Sequence, residues 1–350
     1  MAYSVIDKST SFCSTVVFSG TAAGQSITGV GFQPDFVWGK SMLESGNHQL
    51  LDSVRGVGKP LESDTDDAEA SDPASSLSSF DADGFTLAGG SAFNPSGTNN
   101  VASWNWKLGT STGLSFAAGD ITPSAYSINA TTGVGIYKYT GPGTVGGDTL
   151  AHNLGTTPKL IIVKRLSDDY SWAVQHSDMT STKILNLNES LAEATNDAFH
   201  NTFPTSTLVT LGSSTYTNAA AGTSIYVMYA FAPVKGYSAI GSYAGNANTN
   251  GPFVYTGFKP TFVLTKPINY ASAWGIHDNK RPGYNPPAAS DLSLQPNTSA
   301  AQVTEARMDI LSNGFKLNST AGESNGSYNY LYMAFGQPLV SSTNIAATAR

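Results

Sequence analysis

One short motif contains a residue type and spacing that could support nucleophilic catalysis. Residues 109–113 read Gly-Thr-Ser-Thr-Gly, the G-x-S-x-G arrangement found around the serine of many hydrolases. That chemistry needs a strand before the serine and a helix after it, with Asp and His later in the chain. The residues that follow, Leu-Ser-Phe-Ala-Ala-Gly-Asp-Ile-Thr-Pro, do not favour a helix of useful length. We therefore interpret residues 109–113 as part of a linker.

An acidic segment, residues 61–73, carries oxygen ligands of the kind that Ca²⁺ prefers. The candidate ligands are Asp64, Asp66, Asp67 and Glu69. The segment lacks the central Gly and the Glu at the twelfth position that an EF-hand requires. A solvated acidic loop is the simpler interpretation and a calcium site is the alternative. No other metal, and no cofactor, is indicated.

A second acidic motif, Asp81-Ala82-Asp83-Gly84, lies between two apolar runs. Asp-Gly in that position predicts a hairpin turn with positive φ at the Gly. A later segment contains Asn313-Gly314 in the same context, so the recurring feature is turn geometry rather than ligand chemistry.

Ion pairs and histidines are the remaining candidates for chemistry. Asp52 and Arg55 are three residues apart, as are Asp278 and Arg281, and we interpret both as structural pairs rather than substrate-binding groups. The histidines are dispersed, with His176 and His277 in similar places, and we expect them at the edges of cores. The five positions are His48, His152, His176, His200 and His277.

Two loops combine aromatic rings with amides, the groups that stack on sugars and hydrogen-bond to them. The candidate glycan or receptor contacts are Tyr243, Asn246, Asn248, Asn250, Asn99 and Asn100. The same composition is typical of turns, so both interpretations stay open.

These residues sit within a repeated pattern of strands. Three segments share an opening of Gly, a turn, Pro, an apolar run and Lys, with the prolines at positions 34, 158 and 260. The pattern predicts a buried strand after each Pro, with the Lys marking its exit to solvent. Each copy ends in an aromatic strand, and in copies two and three this strand is apolar on both faces, which predicts a central place in its sheet.

The repeats predict an all-β fold of three tandem β-sandwich-like domains related by internal duplication. The expected boundaries are an N-terminal arm (1–13), a first module (14–108), a linker (109–134), a second module (135–236), a third module (237–340) and a C-terminal tail (341–350). Few short helices are expected. Residues 190–193 have capping-box spacing and predict a helix ending near His200, and residues 299–311 predict another.

Composition limits the possible partners. Of 350 residues only 12% are charged, and the net charge is −7 with scattered Lys and Arg, which argues against nucleic-acid binding. No apolar run is long enough for a membrane helix, and residues 1–20 do not read as a signal peptide. The single cysteine, Cys13, excludes an intramolecular disulfide. The surface nevertheless resembles that of extracellular or particle-bound β proteins.

The first copy resembles a module found in virion structural and tail-associated proteins of tailed phages, especially marine phages. The resemblance covers residues 27–107 and is carried by three motifs: GFQPDFVWGK, DSVRG and SFDADGFTL. It implies a component of a phage particle that folds in the host cytoplasm and is then exposed on the virion surface. It supplies no catalytic residues.

The sequence therefore predicts a non-enzymatic structural protein of the virion surface, either a head decoration protein or a small tail component. Its expected partners are other capsid or tail proteins and further copies of itself. The alternative is a receptor-binding or glycan-binding adhesin. A polysaccharide-degrading hydrolase is the third possibility, but the sequence offers no assignable pair of catalytic carboxylates.

Overall fold

The computed structural model describes residues 4–90, 92–219, 223–281, 285, 292–304 and 307–340. The fold is essentially all-β, as expected, and over these residues the helical structure is one 3₁₀ turn at Ser9–Ser11. Neither of the two expected helices appears among the described residues of its segment. Residues 190–200 contain the strand Ala194–Thr195, and residues 299–311 contain the strands Val303–Thr304 and Met308–Leu311. In the part of the chain described, no helix is long and apolar enough to cross a membrane.

The first copy has a main sheet of five strands and a second sheet of three. In chain order the strands are β1 (Cys13–Gly20), β2 (Ala23–Thr28), β3 (Phe36–Ser41), β4 (Gln49–Asp52), β5 (Leu61–Glu62), β6 (Leu77–Asp81), β7 (Gly84–Gly89) and β8 (Gly97–Trp106). The main sheet has the order β1-β8-β3-β4-β5 and the second sheet has the order β2-β7-β6.

The second copy has a seven-stranded main sheet and a two-stranded partner. Its strands are β9 (Ala125–Asn129), β10 (Val134–Thr140), β11 (Asp148–Ala151), β12 (Leu160–Arg165), β13 (Ala173–His176), β14 (Lys183–Asn186), β15 (Ala194–Thr195), β16 (Leu208–Leu211) and β17 (Ile225–Phe231). The main sheet has the order β15-β14-β13-β12-β17-β10-β9, and β11 pairs with β16. Since β9 pairs with β10, this sheet begins inside the segment expected to be a linker.

The third copy repeats the plan of the first. Its strands are β18 (Ser238–Ala244), β19 (Phe253–Tyr255), β20 (Phe258–Pro267), β21 (Gly275–Asp278), β22 (Leu292–Ser293), β23 (Val303–Thr304), β24 (Met308–Leu311), β25 (Gly314–Leu317) and β26 (Asn329–Pro338). The main sheet has the order β18-β26-β20-β21, the second sheet has the order β19-β25-β24, and β22 pairs with β23. The expected C-terminal tail, 341–350, lies outside the described residues.

The aromatic terminal strands of copies two and three are central in their main sheets, as predicted. Strand β17 lies between β12 and β10, and β26 lies between β20 and β18. The strand after each Pro is also found, but β20 starts before Pro260 and carries an irregularity between Pro260 and Phe262. The missing N–H of Pro260 is tolerated because the neighbouring strand β21 pairs with β20 only from Phe262 onward.

The copies are joined by one apolar core. Alternate side chains of β17 divide between two clusters: Val227, Tyr229 and Phe231 enter a shared cluster, whereas Tyr226 and Met228 enter a core belonging to the second copy. Strands β8 and β26 contribute in the same way. Their residues in the shared core are Ala102, Trp104, Trp106, Leu331, Met333 and Phe335. The apolar character of both faces therefore reflects two different cores.

Aromatic rings occupy the middle of this shared core. Equivalent residues Trp106, Phe231 and Phe335 come from the three terminal strands, and Phe335 contacts both of the others at ring-centroid distances of 5.8 and 6.3 Å. Phe36 stacks on Trp106 at 5.1 Å. Burial of rings this large is a major favourable term in folding, so the three copies stabilise one another.

Backbone hydrogen bonds repeat cyclically around the three copies. The N–H of Glu69 in copy one bonds to Leu166 O in copy two at 3.0 Å, and the N–H of Glu193 in copy two bonds to Ile268 O in copy three at 2.9 Å. The N–H of Gln302 in copy three returns to Met42 O in copy one at 2.8 Å. The three modules therefore form a closed ring with pseudo-threefold symmetry.

The expected hairpin at Gly84 forms, and its glycine is required for a further reason. Gly84 has φ +146°, and a Cβ there would lie 1.9 Å from the carbonyl oxygen of Ile27 on β2. Gly314 in the third copy stands against Val254 O in the same way, with the corresponding Cβ 2.1 Å away. The Gly therefore recurs because a third strand approaches closely.

Candidate functional site

Several buried polar and charged groups lie at the three seams, the surfaces where one copy meets the next. The Pro-strand lysines are among them. Lys40, Lys164 and Lys266 are all 0% exposed, so the expectation that they mark an exit to solvent is wrong. Lys164 Nζ donates to Asp66 O at 3.1 Å, and Lys266 Nζ donates to Ser190 O at 3.3 Å, in each case in the preceding copy.

The ammonium groups of these lysines are held by backbone carbonyls in surroundings that disfavour charge. Burial lowers the pKa of Lys40 and of Lys164 to about 8, partly offset by nearby Asp carboxylates, chiefly Asp64 and Asp66. Burial lowers the pKa of Lys266 to about 7. Lys164 and Lys266 thus tie neighbouring copies together, whereas Lys40 bonds to Ser41 O and Glu44 O of its own copy.

The first–second seam, between copies one and two, contains a buried ion pair. Arg55 Nε donates to Asp52 Oδ2 at 2.6 Å, and both side chains are 0% exposed. Tyr229 from the second copy donates its hydroxyl to the same Oδ2 at 2.7 Å. Burial disfavours the charged guanidinium, but Asp52, Tyr229 and Glu69 together outweigh that effect and raise the pKa of Arg55. The predicted pair is therefore present and bonds across two copies.

The third–first seam repeats this arrangement. Arg281 Nε donates to Asp278 Oδ2 at 2.6 Å, and Trp104 from the first copy donates its indole N–H to that oxygen at 3.1 Å. The guanidinium also lies over the Trp104 ring, 5.4 Å from its centroid. Burial opposes ionisation of Asp278, but Arg281 more than compensates and the pKa of the carboxyl is lowered.

The second–third seam has different residues at all three positions. Strand register makes His176 equivalent to Asp52 and Asp278. His176 pairs with Leu160, Asp52 with Phe36 and Asp278 with Phe262, and these three partners are the equivalent second residues after the Pro of each copy. Met179 lies at the position of Arg55 and Arg281. Met333 lies at the position of Tyr229 and Trp104. Burial lowers the pKa of His176 to about 4, so its ring is neutral at pH 7. An ionic group has become a neutral one.

The same register shows that His176 and His277 are not equivalent. The sequence suggested similar positions for these two histidines, but they are offset by one residue. His277 is opposite Val263, as Gln175 is opposite Ile161. Of the five histidines, three are fully buried, as expected for core or core-edge residues: His48, His152 and His176.

A cleft of about 680 Å³ opens at the second–third seam. It lies beside Met179, and polar side chains from both copies line it. They are Asp178, Thr180, Glu193, Ser242, Asn269 and Asn329. The hydroxyl of Ser242 hydrogen-bonds to the Asp178 carboxylate, which helps to lower the pKa of Asp178 against the opposing effect of burial. Sequence reasoning missed this cleft because its lining comes from five separate segments.

The acidic segment does not assemble into a metal site. Glu69 pairs with Arg55 at 3.4 Å and with Lys59 at 3.6 Å, and Asp64 accepts the N–H of His48 at 2.9 Å. Burial raises the pKa of Asp64 to about 6. Within the described ranges, no three His, Cys, Asp or Glu side chains form a group able to hold a metal ion.

The candidate glycan residues fall in different surroundings. Tyr243 is buried and donates its hydroxyl to Ser324 O at 2.7 Å. Asn100 is buried, and its side-chain amide accepts the N–H of Gly20 and donates to Pro95 O. Three residues form an exposed loop closed by its own amides: Asn246, Asn248 and Asn250. The side chain of Asn99 lies outside the described part of the structure.

The G-x-S-x-G motif occupies an irregular segment. Ser111 is exposed, Thr110 forms an isolated bridge with Ile128, and residues 109–124 contain no helix. The strand–turn–helix geometry of a nucleophile elbow is therefore absent from this fully described segment.

The fold and its buried polar groups define a class of protein: a closed, all-β ring of three duplicated modules. The chain belongs to the family described as Domain of unknown function (DUF7483), whose model matches residues 8–338 and so spans all three copies. Comparison with curated proteins found no match, and neither did comparison with solved structures.

Proposed function

We propose that this protein is a non-enzymatic structural component of the surface of a tailed-phage virion, a head decoration protein or a small tail protein. The resemblance of residues 27–107 to phage virion modules motivates the proposal. Its partners would be other capsid or tail proteins and further copies of the chain. It would fold in the host cytoplasm before joining the particle.

The observation that carries the structural role is how the ionisable groups are used. Asp52 and Asp278 are buried and bonded across seams, and Lys164 and Lys266 are held by carbonyls of the neighbouring copy. Such groups stabilise one arrangement of the modules instead of facing a substrate. A closed ring of pseudo-threefold symmetry also suits a threefold or quasi-threefold position on a particle.

Proteomic analysis of separated heads and tails tests the location. We expect the protein in purified virions, concentrated in one of the two fractions, and a cryo-EM map should contain density for the ring on the particle surface. Absence of the protein from purified virions would contradict the proposal.

A glycan-binding adhesin is the second candidate, and one surface feature favours it. The loop of Asn246, Asn248 and Asn250 is exposed, and the same copy exposes Phe253 and Tyr255, which are 44% and 61% accessible. Exposed aromatics and amides are the groups that bind sugars. A glycan array decides this candidate: binding that is lost in the variant Tyr255→Ala supports it, and no binding to host-surface sugars removes it.

A further inference from the structure

The cleft at the second–third seam follows from the replacement of an arginine. In the first–second seam the Glu69 carboxylate is contacted by Arg55 through one oxygen and by Lys59 through the other. Glu193 is the equivalent residue in copy two, because its N–H makes the equivalent bond to the next copy. Met179 replaces the arginine and carries no donor.

This replacement leaves one carboxylate oxygen of Glu193 without a protein donor. Its Oε1 accepts from Lys183 Nζ at 3.0 Å, whereas Oε2 is buried and has no hydrogen-bond partner. A buried carboxylate oxygen without a donor is costly, and nearly all such groups in folded proteins are satisfied. The cleft beside it is a natural place for a donor to enter.

The rest of the lining also favours a ligand rich in donors. Asp178 adds a second carboxylate, whereas Asn269 Oδ1 already accepts the backbone N–H of Asn329. Asp178 of copy two and Ser242 of copy three meet at this seam. Their equivalents are Val54 and Lys138 at the first–second seam, and Lys280 and Val17 at the third–first seam. Of the three seams, only the one that lacks the arginine has a carboxylate at this position.

We propose that this cleft binds a small organic cation whose guanidinium or amino group donates to Glu193 Oε2 and Asp178. The volume of about 680 Å³ lies within the range of small-molecule sites, roughly 300–1,000 Å³. Charged donors bond to carboxylates about twice as strongly as neutral ones, so a cation is preferred over a neutral polar ligand. The proposal concerns this chain alone and does not depend on the location of the protein in a virion.

Calorimetric titration with argininamide and with citrullinamide, both acetylated at the α-amino group so that only argininamide carries a charge, tests the proposal. Argininamide is expected to bind saturably, and citrullinamide to bind at least about tenfold more weakly because it lacks the charge. Equal affinity for the two probes would show that charge is not recognised and would overturn the proposal. So would the absence of saturable binding by argininamide.

Two variants locate the site. Met179→Arg restores the residue type of the other seams and should reduce argininamide affinity at least about tenfold, since the new guanidinium occupies the Glu193 oxygen. Glu193→Gln keeps the shape of the side chain and should weaken binding similarly, which keeps the test valid if Met179→Arg folds poorly. Asp168→Asn is the matched control, because Asp168 pairs with Arg165 outside the cleft. Unchanged affinity in Glu193→Gln, or an equal loss in Asp168→Asn, would overturn the assignment.

Discussion

Two kinds of seam hold the three copies together. The first–second and third–first seams each contain a buried carboxylate, an arginine three residues later and an aromatic donor from the neighbouring copy. The second–third seam has a neutral histidine and two methionines at these positions, and a cleft opens beside them. All three positions differ together, which indicates that they form one unit.

The physical reason is the cost of an incomplete buried pair. Two charges removed from water stabilise a fold only when each is fully paired and hydrogen-bonded, and removing one partner leaves an uncompensated charge. Replacing a buried ion pair by well-packed residues of similar volume that carry no charge is often neutral. The second–third seam has no charged pair at these positions, so both solutions occur in the same chain.

Breaking one ionic seam should have the largest effect. Arg55→Met leaves Asp52 buried with only Tyr229 as a side-chain donor from the neighbouring copy, and we expect the free energy of unfolding to fall by about 3–5 kcal/mol. Urea denaturation measures the change.

The control is the double variant Asp52→His with Arg55→Met, which places the residues of the second copy in the first. It should recover at least about half of the free energy of unfolding that Arg55→Met loses, because the buried Asp52 charge is gone. A double variant less stable than Arg55→Met would contradict the view that these residues exchange as a unit.

Removal of the aromatic donor should have a smaller effect. Tyr229→Phe deletes the hydroxyl that bonds to Asp52 Oδ2 and should lower the free energy of unfolding by about 1.5–3 kcal/mol, the range for a hydrogen bond to a charged group. Met333→Leu, at the equivalent position of the neutral seam, should cost less than about 1.5 kcal/mol. Equal losses in the two variants would mean that Tyr229 contributes through packing alone.

The pH dependence of stability should separate the seams further. Lys266 has a folded pKa of about 7, below the unfolded value of about 10.4, so the unfolded chain binds more protons between these limits. Stability contributed by this group therefore rises as pH increases above 7 and is lost as pH falls through 7. Lys266→Met should reduce the gain between pH 7 and pH 9 by on the order of 1–2 kcal/mol. An unchanged slope in denaturation curves would exclude the buried ammonium as its source.

A fourth test uses the histidine of the neutral seam. His176 has a folded pKa of about 4, below the ordinary value near 6.5, so the stability it contributes is complete above pH 6.5 and is lost as pH falls towards 4. His176→Gln should make the thermal midpoint less sensitive to pH over that window by a few degrees. A variant with the same acid sensitivity as the wild type would place the titrating group elsewhere.

Local patterns in the sequence predicted much of the scaffold. The strand after Pro, the central terminal strand and the Gly84 hairpin each depend on residues close in the chain, and they were correctly anticipated. The Asp52–Arg55 pair was also correct, because a spacing of three residues brings the two together within one turn. The contact of Asp52 with Tyr229 joins residues 177 positions apart, so nothing in the local pattern indicated it.

The failures share one physical cause. The alternation in β17 indicated burial on both faces, but not that one face packs against two other copies. Lysine normally ends at solvent, but Lys164 is buried, and its ammonium group bonds to Asp66 O of the preceding copy. Residues 190–193 have helix-cap spacing, but pairing with β14 holds the following residues as a strand. Tertiary contacts overrode local preference in each case.

Native-state hydrogen exchange tests the central claim, that the three copies form one cooperative unit around a shared core. The probes are the amides of three equivalent core residues: Trp38, Ile162 and Leu264. In one cooperative unit they should exchange with the same free energy of opening, and Arg55→Met should lower all three by the same amount. Exchange with clearly different free energies, or a loss of protection confined to the first copy, would show that the modules open independently.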